Sequence, residues 1–94
     1  MIRFEWDPDK AAVNLRKHGV SFDEASTAFS DPFARIDFDP DHSEDENRFI
    51  LLGLSTAART LVVCHCYRED EEIIRIISAR KAVLYERKQY GRFL

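Results

Sequence analysis

One change of hydrophobic period divides this chain. Up to Asp31-Pro32 the apolar residues recur at helical spacing, and from residue 33 onward they alternate with polar ones. A helical first third followed by a stranded remainder has to lay helices against a sheet, which predicts an α+β fold.

The helical part carries its own start and stop signals. Asp7-Pro8 reads as an N-cap followed by proline at the first helical position, and Gly19 supplies the stop. This predicts a helix of about ten residues with Ala11, Leu15 and His18 near one face and Arg16 and Lys17 partly outside it. His18, beside Gly19, reads as a residue that bonds the last carbonyls of its own helix. Ser21-Phe22-Asp23-Glu24 has the form of a capping box, in which Ser21 receives the Glu24 amide and Glu24 reaches back. Phe22, Ala25, Ala28 and Phe29 follow at helical spacing until Asp31-Pro32 ends the element.

Alternation then predicts strands over 34–38, 48–54, 60–68 and 73–78, joined by links short enough for an antiparallel meander. The acidic stretch 39–47 has no apolar face and reads as a mobile loop. Ser78 is expected to cap a last helix over 79–89. The predicted order is ααββββα in a single domain over 1–94, because a chain of 94 residues closes one apolar core and shows neither repeats nor a linker.

Composition narrows the function classes. A 45% hydrophobic share is that of a folded protein, and no apolar run approaches the roughly 18 residues of a membrane span. The N-terminus has no apolar signal core, so the cytoplasm is the expected compartment. Cys64 and Cys66, two apart on a predicted strand, are poorly placed for a disulfide and read as free thiols. The net charge of −3 hides an uneven division: residues 21–47 hold nine acidic residues against Arg35 alone, whereas residues 73–94 hold six basic residues against Glu86 alone. A basic C-terminal quarter can attract phosphate locally on an acidic protein.

Arg75 and Arg80 flank the predicted junction of strand and helix, where free amides and guanidinium forks suit a phosphate. Arg48 opens one predicted strand and Arg68 closes the next, so antiparallel pairing brings both to one sheet edge. Composition alone leaves these arginines equally suited to pairing with the acidic middle segment. His65 has opposite parity to both cysteines and is the acid–base candidate, its alternative being a hydrogen-bonded sheet histidine. Cys64-His65-Cys66 does not make a zinc site, since alternation splits the ligands between faces and no second cysteine pair exists. There is neither a phosphate-cradling glycine loop nor a nucleophile elbow.

Phe4-Glu5-Trp6-Asp7-Pro8 with Lys10, then residues 14–22 (Asn-Leu-Arg-Lys-His-Gly-Val-Ser-Phe), Ala25, Phe29, Asp31-Pro32, Arg48, Gly53, Arg68, residues 75–82 (Arg-Ile-Ile-Ser-Ala-Arg-Lys-Ala), Glu86 and Tyr90 form one set of anchors. Through them the chain resembles the BrnT-type toxins along nearly its whole length. The resemblance implies a RelE-like fold and a ribonuclease that blocks translation as the toxin of a type II toxin–antitoxin pair. It also implies a BrnA-type ribbon-helix-helix antitoxin that neutralises the toxin and carries the complex to operator DNA. One departure is residues 69–72, four carboxylates where the family often has a glycine-containing turn.

Together these readings predict an endoribonuclease that needs no metal or other cofactor. Arg48, Arg68, Arg75 and Arg80 bind the scissile phosphate, His65 moves a proton, and Lys10, Arg16, Lys17 and Lys81 hold RNA. The alternative is a non-catalytic subunit that binds the antitoxin and tunes operon repression.

Overall fold

The computed structural model describes residues 2–91. It begins with an element that the sequence reading lacks, a short strand β1 (Arg3–Glu5), followed by α1 (Pro8–His18), α2 (Phe22–Thr27) and a 3-10 turn (Ala28–Ser30). Then come β2 (Arg35–Asp39), a second 3-10 turn (Pro40–His42), β3 (Arg48–Leu54), β4 (Thr60–Arg68), β5 (Ile73–Lys81) and α3 (Leu84–Gly91). The fold is α+β as expected, but the sheet is five-stranded and mixed, in the order β1-β5-β4-β3-β2. β1 lies parallel to β5, and the other pairings are antiparallel.

Both N-terminal helices start where the sequence places them. The Asp7 carboxylate accepts the Asp9 amide at 2.8 Å, and Ser21 Oγ accepts the Glu24 amide at 3.0 Å. Gly19 ends α1 at φ 68°, a left-handed turn that side chains disfavour, and its amide closes onto the Leu15 carbonyl. The second half of the expected capping box is corrected: the Glu24 carboxylate turns away from Ser21 to Arg59 and Ser55 on the loop after β3. Those bonds, with that of Arg59 foremost, hold the Glu24 carboxyl below its ordinary range.

The helices cover one face of the sheet. Val20, Phe22, Ala25 and Ala28 meet Leu51, Leu61, Val63, Ile76 and Ala79 there in the main core. Burying a side chain of the size of Phe22 or Leu51 contributes about 1.5–3 kcal/mol each. Gly53 belongs to this contact, since a Cβ there would stand 2.9 Å from Leu51 Cδ2 and 3.1 Å from the Ala28 carbonyl.

Two local devices shape β5. It continues to Lys81 and does not stop at Ser78, because Ala79 and Arg80 stay paired with Val63 and Val62 of β4. β1 has ended by then, and the buried Asn14 side chain takes its place: Nδ2 donates to the Ala79 carbonyl at 2.8 Å while Oδ1 accepts the Ala79 amide at 3.1 Å. The helix expected from residue 79 is therefore corrected to one from Leu84, and Ser78 does not cap it. Glu86 does, by reaching back to the Val83 amide at 2.9 Å.

The second device is a bulge. Ser78 faces Cys64 but Ile76 faces His65, so Ile77 is an extra residue in β5. Arg75 and Arg80 are an odd number of residues apart and would point to opposite faces of a regular strand. The inserted residue restores their phase, and both share a face with Val62, Cys64 and Cys66.

Candidate active site on the open face of the sheet

The face away from α1 and α2 gathers Arg48 from β3, Arg68 from β4 and Arg75 and Arg80 from β5, all at positions of one parity across the ladder. Three of them share two carboxylates. Arg75 Nη1 meets Glu5 Oε2 at 2.6 Å and Arg68 Nε meets the same oxygen at 3.5 Å, while Arg68 and Arg48 both approach Glu46, at 3.8 and 3.6 Å. Arg80 makes a two-point contact with Glu86, at 2.7 and 2.9 Å, which holds the Glu86 carboxyl below its ordinary range. The Arg48 Nε is buried and, among the described residues, its ion pair with Glu46 Oε1 at 3.6 Å is too long for a hydrogen bond.

Arg48 and Arg80 line a cleft of about 390 Å³ together with Asp39, His42, Cys64, Ser78 and His18. His18 reaches it from the end of α1 because β1 stops at Glu5 and leaves that stretch of the β5 edge to the helix. A smaller depression adjoins it through His18, Ile77 and Ser78 and is lined by Lys10 and Lys17, so a cationic track continues along α1. Arg16 and Lys81 are exposed and line neither hollow.

The junction geometry expected for Arg75 and Arg80 is corrected. Both stand within β5, and no helix N-terminus lies between them. The arginines still converge, but through sheet register.

His65 is placed differently from the rest. It is 0% exposed and faces the helices, with Phe29 at a ring separation of 4.8 Å and Tyr67 at 5.2 Å. Its Nδ1 bonds the Val63 carbonyl at 3.1 Å, so Nδ1 carries the hydrogen and Nε2, 3.2 Å from the Tyr67 hydroxyl, accepts. Burial pushes its pKa below the ordinary histidine value. A neutral, sealed and fully bonded imidazole suits a core role and cannot meet an RNA strand in this conformation.

The acidic stretch expected to be a featureless loop instead opens with the Pro40–His42 turn, where the buried Asp39 bonds His42 Nδ1 at 2.8 Å. The reading as a loop passed over His42 and Asp39, although Asp39-Pro40 repeats the capping signal of Asp7-Pro8.

Residues 69–72 form a turn in which Glu69, Asp70 and Glu71 all have positive φ, with Glu69 paired to Arg3 at 3.3 Å. Glu69, Asp70 and Glu71 border a separate hollow of about 680 Å³ with Arg68, Phe49 and Tyr67, away from Arg80 and both cleft histidines. Its carboxylates make it the poorer of the two hollows for a phosphate.

Cys64 and Cys66 are free thiols, pushed above the usual range by burial. Among the described residues no cluster of three or more His, Cys, Asp or Glu is placed to hold a metal, and no helix is long and apolar enough to cross a membrane.

No curated protein matches the sequence. Among solved structures, the ribonuclease toxin BrnT of Brucella abortus has a similar fold, with a TM-score of 0.64 over 88% of this chain and 99% of that one at 22% identity. The family model for BrnT, the ribonuclease toxin of a type II toxin–antitoxin system, matches residues 6–86 and so takes in α1, the strands β2 to β5 and the four arginines. The chain belongs to the BrnT family of ribonuclease toxins.

Proposed function

We propose that this chain cuts RNA endonucleolytically, without a metal, by attack of a ribose 2′-hydroxyl on the adjacent phosphate, and that the cleavage stops translation. The observation that carries the reading is the cleft that Arg48 and Arg80 line together. Guanidinium groups stay protonated and present planar forks, so they can neutralise the extra charge of a phosphorane without a metal ion. Arg68 and Arg75 extend the positive face, and Lys10 and Lys17 hold the strand beside it, with Arg16 and Lys81 adding exposed charge.

The carboxylates on these arginines are consistent with binding, because Glu5, Glu46 and Glu86 preset the guanidinium orientation until phosphate takes over part of the contact. His65 has no role in this mechanism.

The proposed partner is a small ribbon-helix-helix antitoxin of the BrnA type, through which alone the complex reaches operator DNA. β2, an edge strand with Ile36 and Phe38 about half exposed, offers that partner a sheet edge and an apolar stripe.

Induction of the chain alone should arrest growth and generate discrete RNA ends, and the purified protein should cut RNA in EDTA. Cleavage that disappears in EDTA and returns with a divalent ion overturns the metal-free mechanism. The two-point Arg80–Glu86 contact favours a second reading, a non-catalytic subunit that binds antitoxin and tunes repression. That reading wins if RNA stays intact while the antitoxin still binds.

A further inference from the structure

Resting on the ribonuclease reading, we propose that His42, oriented by Asp39, and His18 on the opposite rim are the proton-transfer pair of the arginine cleft. Attack by a 2′-hydroxyl needs one group to remove a proton and another to supply one. Arginine cannot accept a proton at neutral pH, and His65 is sealed in the core. The chain has three histidines, and the two others both line the cleft that holds Arg48 and Arg80.

The His42 site is built from β2 upward. Asp39 lies directly opposite Arg48 in the sheet, and its Oδ1 accepts the Asp41 amide at 3.2 Å, which starts the 3-10 turn. One turn on, His42 returns above Asp39, and Asp39 Oδ2 meets His42 Nδ1. Ser43 Oγ ties the turn down by donating to the Asp39 carbonyl and accepting the Arg48 amide at 2.9 Å. A carboxylate only accepts, so Nδ1 carries the hydrogen and Nε2 remains free on a side chain that is 66% exposed. Asp39 is buried and acts through His42; it is a positioning residue that sets the tautomer and faces the charge as it forms.

In the reaction, His42 Nε2 takes the proton of the 2′-hydroxyl as the 2′-oxygen bonds to phosphorus. The bond from phosphorus to the 5′-oxygen breaks, and protonated His18 gives its proton to that leaving oxygen. The products are a 2′,3′-cyclic phosphate and a 5′-hydroxyl end, with Arg48 and Arg80 on the phosphoryl oxygens throughout.

The test uses the full chain on a synthetic RNA in EDTA, with both product ends mapped. His42→Ala should lower kcat about 100-fold or more while KM and the melting temperature stay near wild type, and added imidazole should restore part of the rate. Asp39→Asn, which preserves the turn's other bonds, should lower kcat at unchanged KM, and His18→Gln should also lower kcat. His42→Gln serves as the second variant if the alanine form does not fold. Full activity in a His42 or Asp39 variant, or 5′-phosphate products from wild type, overturns the assignment; full activity in His18→Gln overturns the role of His18. A wild-type protein that cuts no RNA overturns the ribonuclease reading and the pair with it.

Discussion

The two faces of the sheet hold one kind of side chain in opposite states. On the covered face His65 has both ring nitrogens bonded, rings packed around it and no exposed surface. On the open face His42 has one nitrogen fixed by a buried carboxylate, on a side chain that is otherwise largely exposed. The difference comes from what covers each ring: His65 lies in β4 beneath the helices, whereas His42 stands in a turn beyond the end of β2.

Five experiments break or sharpen this comparison. The largest effect belongs to the open face: Arg80→Ala and Arg48→Ala should each lower cleavage by about 10²–10³-fold, the loss typical of one preorganised donor to a developing oxyanion. Rate assays on variants with wild-type melting curves check this, and a fully active Arg80→Ala protein removes the arginine cleft from the mechanism.

On the covered face the loss should be in stability alone. His65→Ala leaves a cavity among Phe29, Phe49 and Tyr67 and should cost about 3 kcal/mol in urea unfolding, whereas His65→Phe should keep cleavage intact. The same residue sets a pH dependence. Its folded pKa lies below its unfolded value near 6.5, so the unfolded chain binds more protons and stability falls as pH drops below about 6.5. His65→Phe should flatten that slope, which denaturant titrations at pH 5 and 7.5 would resolve.

Asn14→Ala removes the amide that completes the edge of β5 and should cost about 2 kcal/mol, with faster hydrogen exchange at the Ala79 amide as its local sign. The smallest effect is a gain. Asp70→Gly relieves one left-handed residue in the acidic turn and should stabilise by about 1 kcal/mol without altering cleavage; a loss of stability would show that the Asp70 side chain is needed there.

Much of the fold was legible because its signals are local. Asp7-Pro8, Ser21 and Gly19 specify helix ends within a few residues, and alternation marks β2, β3 and β4. β1 was not legible, since three residues hold too little alternation and their partner lies about seventy positions away in β5. The end of β5 was misread for a related reason: Ser78-Ala79 looks like a cap and a helix start, but pairing with β4 and the Asn14 amide keeps it extended.

The four arginines of the candidate site were legible as residue types, though the geometry that unites them was not. A strand-to-helix junction was the expected meeting place, and a sheet face is the observed one. His42 was hidden because the acidic run around it has no apolar periodicity, even though Asp39-Pro40 carries a turn signal of its own.

The bulge at Ile77 has a consequence for how this protein can evolve. An in-frame loss of that single codon changes no charge and removes no arginine, yet it reverses the sidedness of everything beyond it relative to Arg75. Either Arg80 would be driven into the apolar layer or Arg75 would leave Glu5. Substitution at position 77 should therefore be broadly tolerated, whereas a change of length there should act as a null allele.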